Sequence, residues 1–483
     1  MEKNNHISVA IVGAGLSGSL LAINLLKKTF DGKIDIFLIE SSKKRFGRGV
    51  AYSPNSIYQK LNVPAKGMSL FPENPNHFVD WWKSNEKNYF YLGESYDENS
   101  FFPRFIFGDY LESTLNSNIQ TKSSNKEFFT INDEVVDASK IESQWKIKLS
   151  SGAELIVDNL ILATGNIPPG NPNYLSNEVL DNKRYLHNPW DDSLFESIQL
   201  NETLGILGSG LSMVDVIMTL KRKNFQGKIV SFSRSGKLPK VHSIPDHLNP
   251  TPFPELFGNV NDDVNKIRNW LRENDGLSDV NLMNVIRPYT SVIWKSWDSK
   301  SQRRFIRHVR PFWESFRHRI PSESMAIISE WIQLGKLTFL KARIQSSRLE
   351  KETIEITTLE PHSKFGSYRF DRLINCTGPD TKLKEVKSDL YTNLMKKGYI
   401  IQSENGIGFV TGNLGQVKSK EGKFLENLYC LGPLRKNELW ESTALREIRD
   451  QVNELTSVIS NSNSNSNSNT NTKKSDPLNQ SSV

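Results

Sequence analysis

Residues 7–40 read ISVAIVGAGLSGSLLAINLLKKTFDGKIDIFLIE and contain the strongest indication of the fold. Its apolar start at residues 7–12 predicts a short strand, and a glycine-rich turn follows. A helical segment then runs to about Phe30, and a second apolar run at residues 34–39 predicts another strand. This order of strand, helix and strand predicts a βαβ unit at the start of an α/β protein.

The turn in this unit has the spacing of a dinucleotide-binding loop. Gly13 permits the tight turn, Gly15 lets backbone amides approach a pyrophosphate, and Gly18 allows close contact between helix and strand. A pyrophosphate is favoured at a helix N-terminus by the exposed amides and the helix dipole. Glu40 ends the second strand, where an acid accepts ribose hydroxyls, so the sequence predicts a dinucleotide site here.

A second loop of the same kind starts at Gly208, after an apolar strand at residues 204–207. Gly210 keeps the second glycine position, whereas Met213 replaces the third, which predicts looser contact between helix and strand. The helix is predicted through Lys221 and the next strand at residues 228–232. Arg234 stands where an acid would select an unphosphorylated ribose, which favours NADPH, although an exposed structural arginine is the alternative.

Two further segments of the chain resemble each other. Residues 158–165 read DNLILATG and residues 371–378 read DRLINCTG, so each is a short apolar run that ends in Thr-Gly. The C-terminal end of such a strand delivers small residues to the crevice where α/β sheets bind ligands. The repeat therefore supports two nucleotide-binding domains in one chain.

Composition narrows the class of protein. The chain has 483 residues and a formal net charge of +7, which fits two or three globular domains. The two cysteines, Cys376 and Cys430, lie far apart in the sequence, which excludes a Cys-x-x-Cys reductase and a zinc ribbon. Both are predicted to be core residues. The histidines have no metal-ligand spacing, so no metal site is predicted. Without a signal sequence or a membrane span, we expect a cytoplasmic protein.

Two segments lie outside the nucleotide motifs. Residues 460–483 are rich in Ser and Asn and predict a disordered tail. Residues 295–319 are strongly basic, and helical spacing places Phe305, Val309, Phe312 and Phe316 opposite Arg303, Arg307, Arg310 and Arg317. Pro311 should kink or split this helix. A solvated basic face is one interpretation, and a site for an anionic substrate or partner is the other; nucleic acid is not expected.

The chain resembles two-dinucleotide-binding flavoproteins of the FAD/NAD(P)-binding superfamily. The resemblance rests on GRGVAY at residues 47–52, LNVPA at 61–65, FPR at 102–104 with GDYL at 108–111, HNPW at 187–190 and LWESTA at 439–444. The segment with Pro103, Arg104, Tyr110 and Leu111, and both Thr-Gly strands, are also similar to flavin-dependent N-hydroxylases. By resemblance, the strand that ends at Gly432 would close over the flavin, and the helix from Ser442 would point its N-terminus toward the isoalloxazine ring. A purely structural strand, turn and helix is the alternative.

This resemblance implies a fold and a set of contacts. We expect two Rossmann-like domains, with FAD bound by residues 1–165 and 379–458 and NADPH by an inserted domain of residues 166–378. Within the insert, residues 251–345 should be mostly helical and shape the substrate entrance. The predicted cofactor contacts are Gly13, Gly15, Ser17, Gly18, Glu40, Arg48, Gly49, Asn62, Arg104, Thr164, Gly165, Gly208, Ser209, Gly210, Ser212, Arg234, Thr377, Gly378 and Gly432.

The function expected from this resemblance is that of an FAD-dependent, NADPH-using monooxygenase. It would hydroxylate a small amino acid-like or amine-like substrate with molecular oxygen through a flavin C4a-hydroperoxide. No catalytic side chain is predicted, because the flavin carries the chemistry. A flavin reductase or dehydrogenase without oxygen insertion, and a non-catalytic flavin-bound interaction protein, remain the alternatives. The oligomeric state is left open.

Overall fold

The structure is a computed structural model, and it describes residues 6–41, 46–53, 58–191, 193–242, 253–256, 258–274, 279–380, 382–383 and 386–465. Its strands are β1 (His6–Val12), β2 (Lys33–Ile39), β3 (Lys126–Ile131), β4 (Val135–Ile141), β5 (Gln144–Leu149), β6 (Glu154–Val157), β7 (Asn159–Leu162), β8 (Tyr185–Leu186), β9 (Leu204–Leu207), β10 (Ile229–Ser233), β11 (Leu337–Lys341), β12 (Arg343–Glu350), β13 (Thr353–Leu359), β14 (Phe365–Phe370), β15 (Arg372–Asn375), β16 (Gln416–Lys418) and β17 (Phe424–Cys430).

In each nucleotide motif, an α-helix follows the first strand. The α-helices are α1 (Leu16–Lys27), α2 (His77–Asn85), α3 (Arg104–Gln120), α4 (Asn177–Leu180), α5 (Leu211–Arg222), α6 (Val260–Glu273), α7 (Asp279–Ile286), α8 (Thr290–Ser296), α9 (Ser299–His308), α10 (Arg310–Arg317), α11 (Ser322–Gln333), α12 (Asp389–Lys396), α13 (Lys436–Leu439) and α14 (Leu445–Asn465). None of the described helices combines the length and the apolar content needed to cross a membrane.

The first sheet joins the two ends of the chain. Its strand order is β16-β17-β7-β1-β2-β3, with β1 parallel to β2 and β7, and β17 parallel to β7. The apolar residues of β1 are buried because α1, α3 and α14 cover one face of the sheet, while the β4-β5-β6 sheet together with α12 covers the other. Strands from residues 6–162 and from residues 416–430 thus build one domain from two distant segments.

The second sheet lies entirely between those segments. Its order is β11-β10-β9-β15-β8, and every neighbouring pair in it is parallel. The strand after the glycine loop, β10, lies between β9 and β11, as in a Rossmann-like unit. Two three-stranded antiparallel sheets, β4-β5-β6 and β12-β13-β14, accompany the two main sheets. The predicted α/β class with an inserted second nucleotide-binding domain is confirmed, whereas the exact domain boundaries stay a prediction.

Within the insert, the segment of residues 251–345 is mostly helical in its described part, where α6 to α11 lie between residues 260 and 333. Pro311 does split the basic segment, because α9 ends at His308 and α10 begins at Arg310. The predicted separation into an apolar and an arginine face is wrong at both ends of α10. The Phe312 residue is 49% exposed, while the Arg317 side chain is only 14% exposed and pairs with Glu441 and Glu447. The split at Pro311 rotates α10 out of the register that a single helix would have.

The exposed arginines of α9 should contribute little to stability. Arg303 donates to the backbone oxygen of Glu404 at 3.3 Å, and Arg307 is exposed. We expect the double variant Arg303→Glu, Arg307→Glu to change the free energy of unfolding by no more than about 0.5 kcal/mol per site, because exposed substitutions rarely do more. Urea unfolding measures this change. Arg317→Leu is the contrasting variant and should destabilise the protein more, since it leaves Glu441 without its cation. A smaller loss of stability for Arg317→Leu than for the double variant would contradict the assignment of Arg317 as buried and paired, and of Arg303 and Arg307 as exposed.

The predicted start of the disordered tail, Ser460, is wrong. Helix α14 continues through Asn465, and Ser460 is buried rather than disordered. Val452, Leu455 and Ile459 pack into the first core at helical spacing, so the helix extends beyond the last of them into the Ser/Asn repeat. The same helix was expected from Ser442 and begins at Leu445. The rest of the predicted tail, residues 466–483, lies outside the described residues.

Candidate functional site

The first glycine loop is packed so tightly that two of its positions exclude any side chain. Gly13 has φ of +103°, and a Cβ on it would lie 2.5 Å from the carbonyl oxygen of Ala163. A Cβ on Gly18 would lie 1.9 Å from the carbonyl oxygen of Gly13. Contacts this short require glycine at both positions. The loop therefore packs directly against the end of β7 and the start of α1, with no room for a side chain at Gly13 or Gly18.

The middle of the loop faces a second glycine turn. Gly49 has φ of +66°, and a Cβ on it would lie 2.9 Å from the Cα of Gly15. Gly15 caps α1 with extended backbone, no side chain caps the helix, and its first turn holds no acid. Glu40 accepts a hydrogen bond from the Ala14 amide at 3.1 Å. The uncapped amides at the start of α1 suit an anion, and Glu40 stands at the edge of this loop.

The C-terminal segment completes this site. A Cβ on Gly432 would lie 2.4 Å from the hydroxyl of Ser17, which places the end of β17 against the first turn of α1. The Gly432 amide donates to Oε1 of Gln451 at 2.8 Å, and the amide group of Gln451 donates to the Ser442 carbonyl at 3.4 Å. Ser442 Oγ is buried without a hydrogen-bond partner among the described residues. A buried hydroxyl in this state is a free hydrogen-bonding group close to the site.

The second loop repeats the backbone of the first. Gly208 has φ of +111°, and a Cβ on it would lie 2.3 Å from the carbonyl oxygen of Cys376, the counterpart of the contact between Gly13 and Ala163. Gly210 caps α5 with φ/ψ of −85°/−161°, close to the −77°/−166° of Gly15. Met213 is fully buried in the cluster beneath α5. The two loops thus share the same backbone conformation at the helix cap and the same close glycine contact.

Both Thr-Gly pairs end in open space. Gly165 and Gly378 have φ of +74° and +87°, and a Cβ on either would meet nothing within 4 Å. Thr164 forms a hydrogen bond with the Tyr391 hydroxyl, and Thr377 donates to the side chain of Asn375 at 2.7 Å. Burial raises the pKa of Tyr391 well above its usual value, so this hydroxyl stays protonated.

The far end of the second loop is polar and cationic. Ser209 donates to the Lys237 carbonyl at 2.7 Å, and Ser212 is half-buried at the start of α5. Arg234 is exposed directly after β10, and no ion pair joins it to the described residues. Burial raises the pKa of Tyr174 to about 12, and the nearby Arg234 opposes that shift, so the guanidinium lies near this ring.

Two other predicted contacts, Arg48 and Asn62, have partners within the protein. The Arg48 guanidinium pairs with Asp109 at 2.6 Å and with Glu112. Desolvation by burial lowers the Arg48 pKa, but these two carboxylates outweigh it and raise the pKa. Asn62 accepts a hydrogen bond from His242 at its backbone oxygen, 2.7 Å away. The structure therefore brings the Gly49 backbone to the first loop, while the Arg48 side chain contacts helix α3.

Arg104 joins the two nucleotide-binding units. Its Nη1 lies 2.9 Å from Oδ2 of Asp215 on α5, and its Nε donates to the Lys60 carbonyl at 3.1 Å. Asp215 is 8% exposed, and burial raises its pKa even though Arg104 opposes that effect. A cofactor role for Arg104 stays a prediction, because in this structure its guanidinium binds a carboxylate.

Sequence reasoning missed four residues of the site: Tyr391, Gln451, Asp215 and Tyr174. Asp215 had a signal, because it is a lone acid inside the apolar run MVDVIM at residues 213–218. Lone buried acids are normally paired, so this one predicted a cationic partner. The other three are ordinary polar residues in loops and helices, and no pattern in the sequence singles them out.

Comparison with known proteins supports the nucleotide-binding assignment. Residues 10–167 match the FAD-NAD(P)-binding family model, so this part of the chain is similar to FAD-NAD(P)-binding domains. No curated protein matches the sequence. The fold is similar to the ornithine hydroxylase from Pseudomonas aeruginosa, at 15% identity and a TM-score of 0.62, covering 94% of this chain and 99% of that one.

Two other solved structures share the fold. The ornithine N-hydroxylase of Kutzneria sp. 744, with reduced FAD, NADP+ and L-ornithine, is 15% identical with a TM-score of 0.61 and covers 95% of this chain and 99% of that one. The bacillithiol disulfide reductase from Bacillus cereus is 12% identical with a TM-score of 0.53 and covers 95% and 99%. Monooxygenases and reductases therefore share this architecture, and the predicted two-domain flavoprotein fold is confirmed.

Proposed function

We propose that this protein is an FAD-dependent, NADPH-using oxidoreductase that hydroxylates the nitrogen of a small amine. The observation that carries the proposal is the duplicated loop, in which Gly13 and Gly208 make the same contact and Gly15 and Gly210 cap their helices in the same conformation. Two such loops suit two dinucleotides, one as the resident flavin and one as the hydride donor.

The residues of the first loop fit FAD. The uncapped amides of α1 would bind the pyrophosphate, and Glu40 would accept the ribose hydroxyls. Ser17 and Gly432 meet at the start of α1, and Gln451 links Gly432 to Ser442, whose unpartnered hydroxyl would meet a polar group of the cofactor. Bound FAD would supply the redox centre that passes electrons from NADPH to oxygen.

The second loop would hold NADPH. The uncapped start of α5 would bind its pyrophosphate, and Arg234 would contact the 2′-phosphate. Gly165 and Gly378 leave open space at the ends of β7 and β15, where a nicotinamide could approach the flavin. Four further predicted contacts would position the two cofactors, because they lie beside these glycines and loops: Thr164, Thr377, Ser209 and Ser212.

The amine substrate rests on the structural neighbours that act on ornithine, at 15% identity. The reaction balances as RNH2 + O2 + NADPH + H+ giving RNHOH + H2O + NADP+. A dithiol reductase is disfavoured, because Cys376 and Cys430 are both buried and separate. Burial also raises the pKa of both thiols, which makes them unreactive.

The test starts with the purified protein and its visible flavin spectrum. NADPH oxidation is then followed with L-ornithine, L-lysine and cadaverine, and products are analysed by mass spectrometry. NADPH consumption matched by a product that is one oxygen heavier supports the proposal. Oxidation of NADPH with artificial acceptors but without such a product indicates a reductase, and a flavin-bound protein that oxidises no NADPH is a binding module; either result overturns the proposal.

Arg234→Glu should discriminate between the two nicotinamide cofactors. The substitution replaces a phosphate-binding cation with a like charge, so we expect NADPH affinity to fall about ten- to a hundredfold, the range for a lost charge-assisted bond. NADH lacks the 2′-phosphate, and its affinity should change far less. Fluorescence titration with both nucleotides measures the effect. If both affinities fall equally, Arg234 does not face the 2′-phosphate.

A further inference from the structure

We infer that Lys341 is a second cation for the 2′-phosphate and shares the selection of NADPH over NADH with Arg234. The inference rests on the proposed use of NADPH and concerns a residue at the end of a different strand. Strand β11 lies parallel to β10, with Ser233 directly opposite Lys341. The Ala342 amide donates to the Ser233 carbonyl at 3.0 Å, so the pairing persists to the last residue of both strands. Lys341 and Arg234 therefore leave the sheet at the same edge.

The loop after β10 folds over the Lys341 side chain. Gly236 has φ of +65°, and a Cβ on it would lie 3.1 to 3.2 Å from Cβ, Cγ and Cδ of Lys341. The aliphatic stem of the lysine is thus held against the turn that carries Arg234. A stem confined in this way loses less conformational entropy when its ammonium group binds an anion.

The charge at this edge is not neutralised within the described chain. Arg234 and Lys341 are exposed, and no ion pair joins either of them to a described carboxylate. The hydroxyls of Ser233 and Ser235 lie 3.2 Å apart in the same turn. Two cations and two hydroxyls provide the donors that a phosphate monoester dianion needs, whereas the plain hydroxyls of an NADH ribose would gain little from them.

The test compares Lys341→Gln with wild type by calorimetric titration of NADP+ and NAD+. We expect the variant to bind NADP+ about tenfold more weakly, as for loss of one charge-assisted bond, and NAD+ nearly as before. Lys341→Arg keeps the charge and should keep the preference. Lys228→Gln is the matched control, since it removes an exposed lysine at the opposite end of β10 and should change neither affinity.

The outcomes separate this inference from the proposed function. If wild type prefers NADP+ and Lys341→Gln keeps that preference, or loses affinity for both nucleotides equally, the role of Lys341 is overturned while NADPH use stands. If wild type does not prefer NADP+ over NAD+, both the proposed NADPH use and this inference fail. The melting temperature of the exposed variant should equal that of wild type, so a loss of affinity cannot result from misfolding.

Discussion

Gly18→Ala is expected to give a protein without bound FAD whose free energy of unfolding is lower by about 3 kcal/mol or more. The added Cβ would lie 1.9 Å from the carbonyl oxygen of Gly13 and 3.1 Å from Cγ2 of Ile11, so strand, loop and helix would have to separate. Overpacking in a core typically costs about 1–3 kcal/mol, and here the obstructing atom belongs to the backbone, which cannot rotate away. Visible flavin absorbance per polypeptide and urea unfolding of the flavin-free protein measure the two losses.

Gly15→Ala is the matched control for this prediction. A Cβ at Gly15 would lie 3.4 Å from the Cα of Gly49, an ordinary van der Waals contact, and the φ of Gly15 is negative. The flavin-free variant should therefore be nearly as stable as the flavin-free wild type. Its affinity for FAD should nevertheless be lower than that of wild type, because the new methyl group enters the proposed path of the pyrophosphate. Full flavin content in both variants would show that the first loop does not hold the cofactor.

Arg104→Leu is expected to destabilise the protein by about 3–5 kcal/mol at neutral pH, the usual cost of removing one partner from a buried ion pair. The substitution leaves the carboxylate of Asp215 buried at 8% exposure without its cation, which lies 2.9 Å away in the wild type. Urea unfolding of the two proteins, each saturated with FAD, measures the difference. A loss below about 1 kcal/mol, the range of an exposed pair, would contradict the assignment.

The stability defect of Arg104→Leu should depend on pH. Burial already raises the folded-state pKa of Asp215, and loss of the opposing arginine charge should raise it further. The folded state then binds the proton more tightly than the unfolded state, whose aspartate pKa is about 3.9. Stability falls as pH rises through the raised pKa, so the defect should be smaller in mild acid than in mild alkali. The double variant Arg104→Leu, Asp215→Leu should recover most of the loss, since no charge remains buried.

The local features of the nucleotide loops were predictable from the sequence. The first strand was expected at residues 7–12 and is observed at His6–Val12, while the strand at residues 204–207 is observed as Leu204–Leu207. Such motifs depend on residues close together in the chain: apolar runs make buried strands, and glycines permit the turn between strand and helix. Cys376 and Cys430 were predicted to be core residues because neither has a Cys or His partner nearby in the sequence, and their burial is confirmed.

Features that depend on distant segments were less predictable. The two faces expected for residues 295–319 assumed one continuous helix, but Pro311 divides it, and Arg317 finds Glu441 and Glu447 more than a hundred residues away. The predicted start of the tail was wrong, because a Ser/Asn composition does not stop a helix whose preceding turn packs against a core. Helix α14 already does so through Leu455 and Ile459.

The two βαβ loops and the Thr-Gly repeat follow from the sequence alone, because short-range sterics and hydrophobic periodicity specify them. The insertion of one nucleotide-binding unit into another was expected from the family resemblance, since it depends on β17 pairing with the distant strand β7. The roles of the charged side chains depend on tertiary structure: Arg48 binds Asp109, Arg104 binds Asp215, and Arg234 is exposed after the end of β10. A charge is stabilised by whichever opposite charge or ligand the fold brings within a few ångströms, and that distance is not encoded in the spacing of residues along the chain.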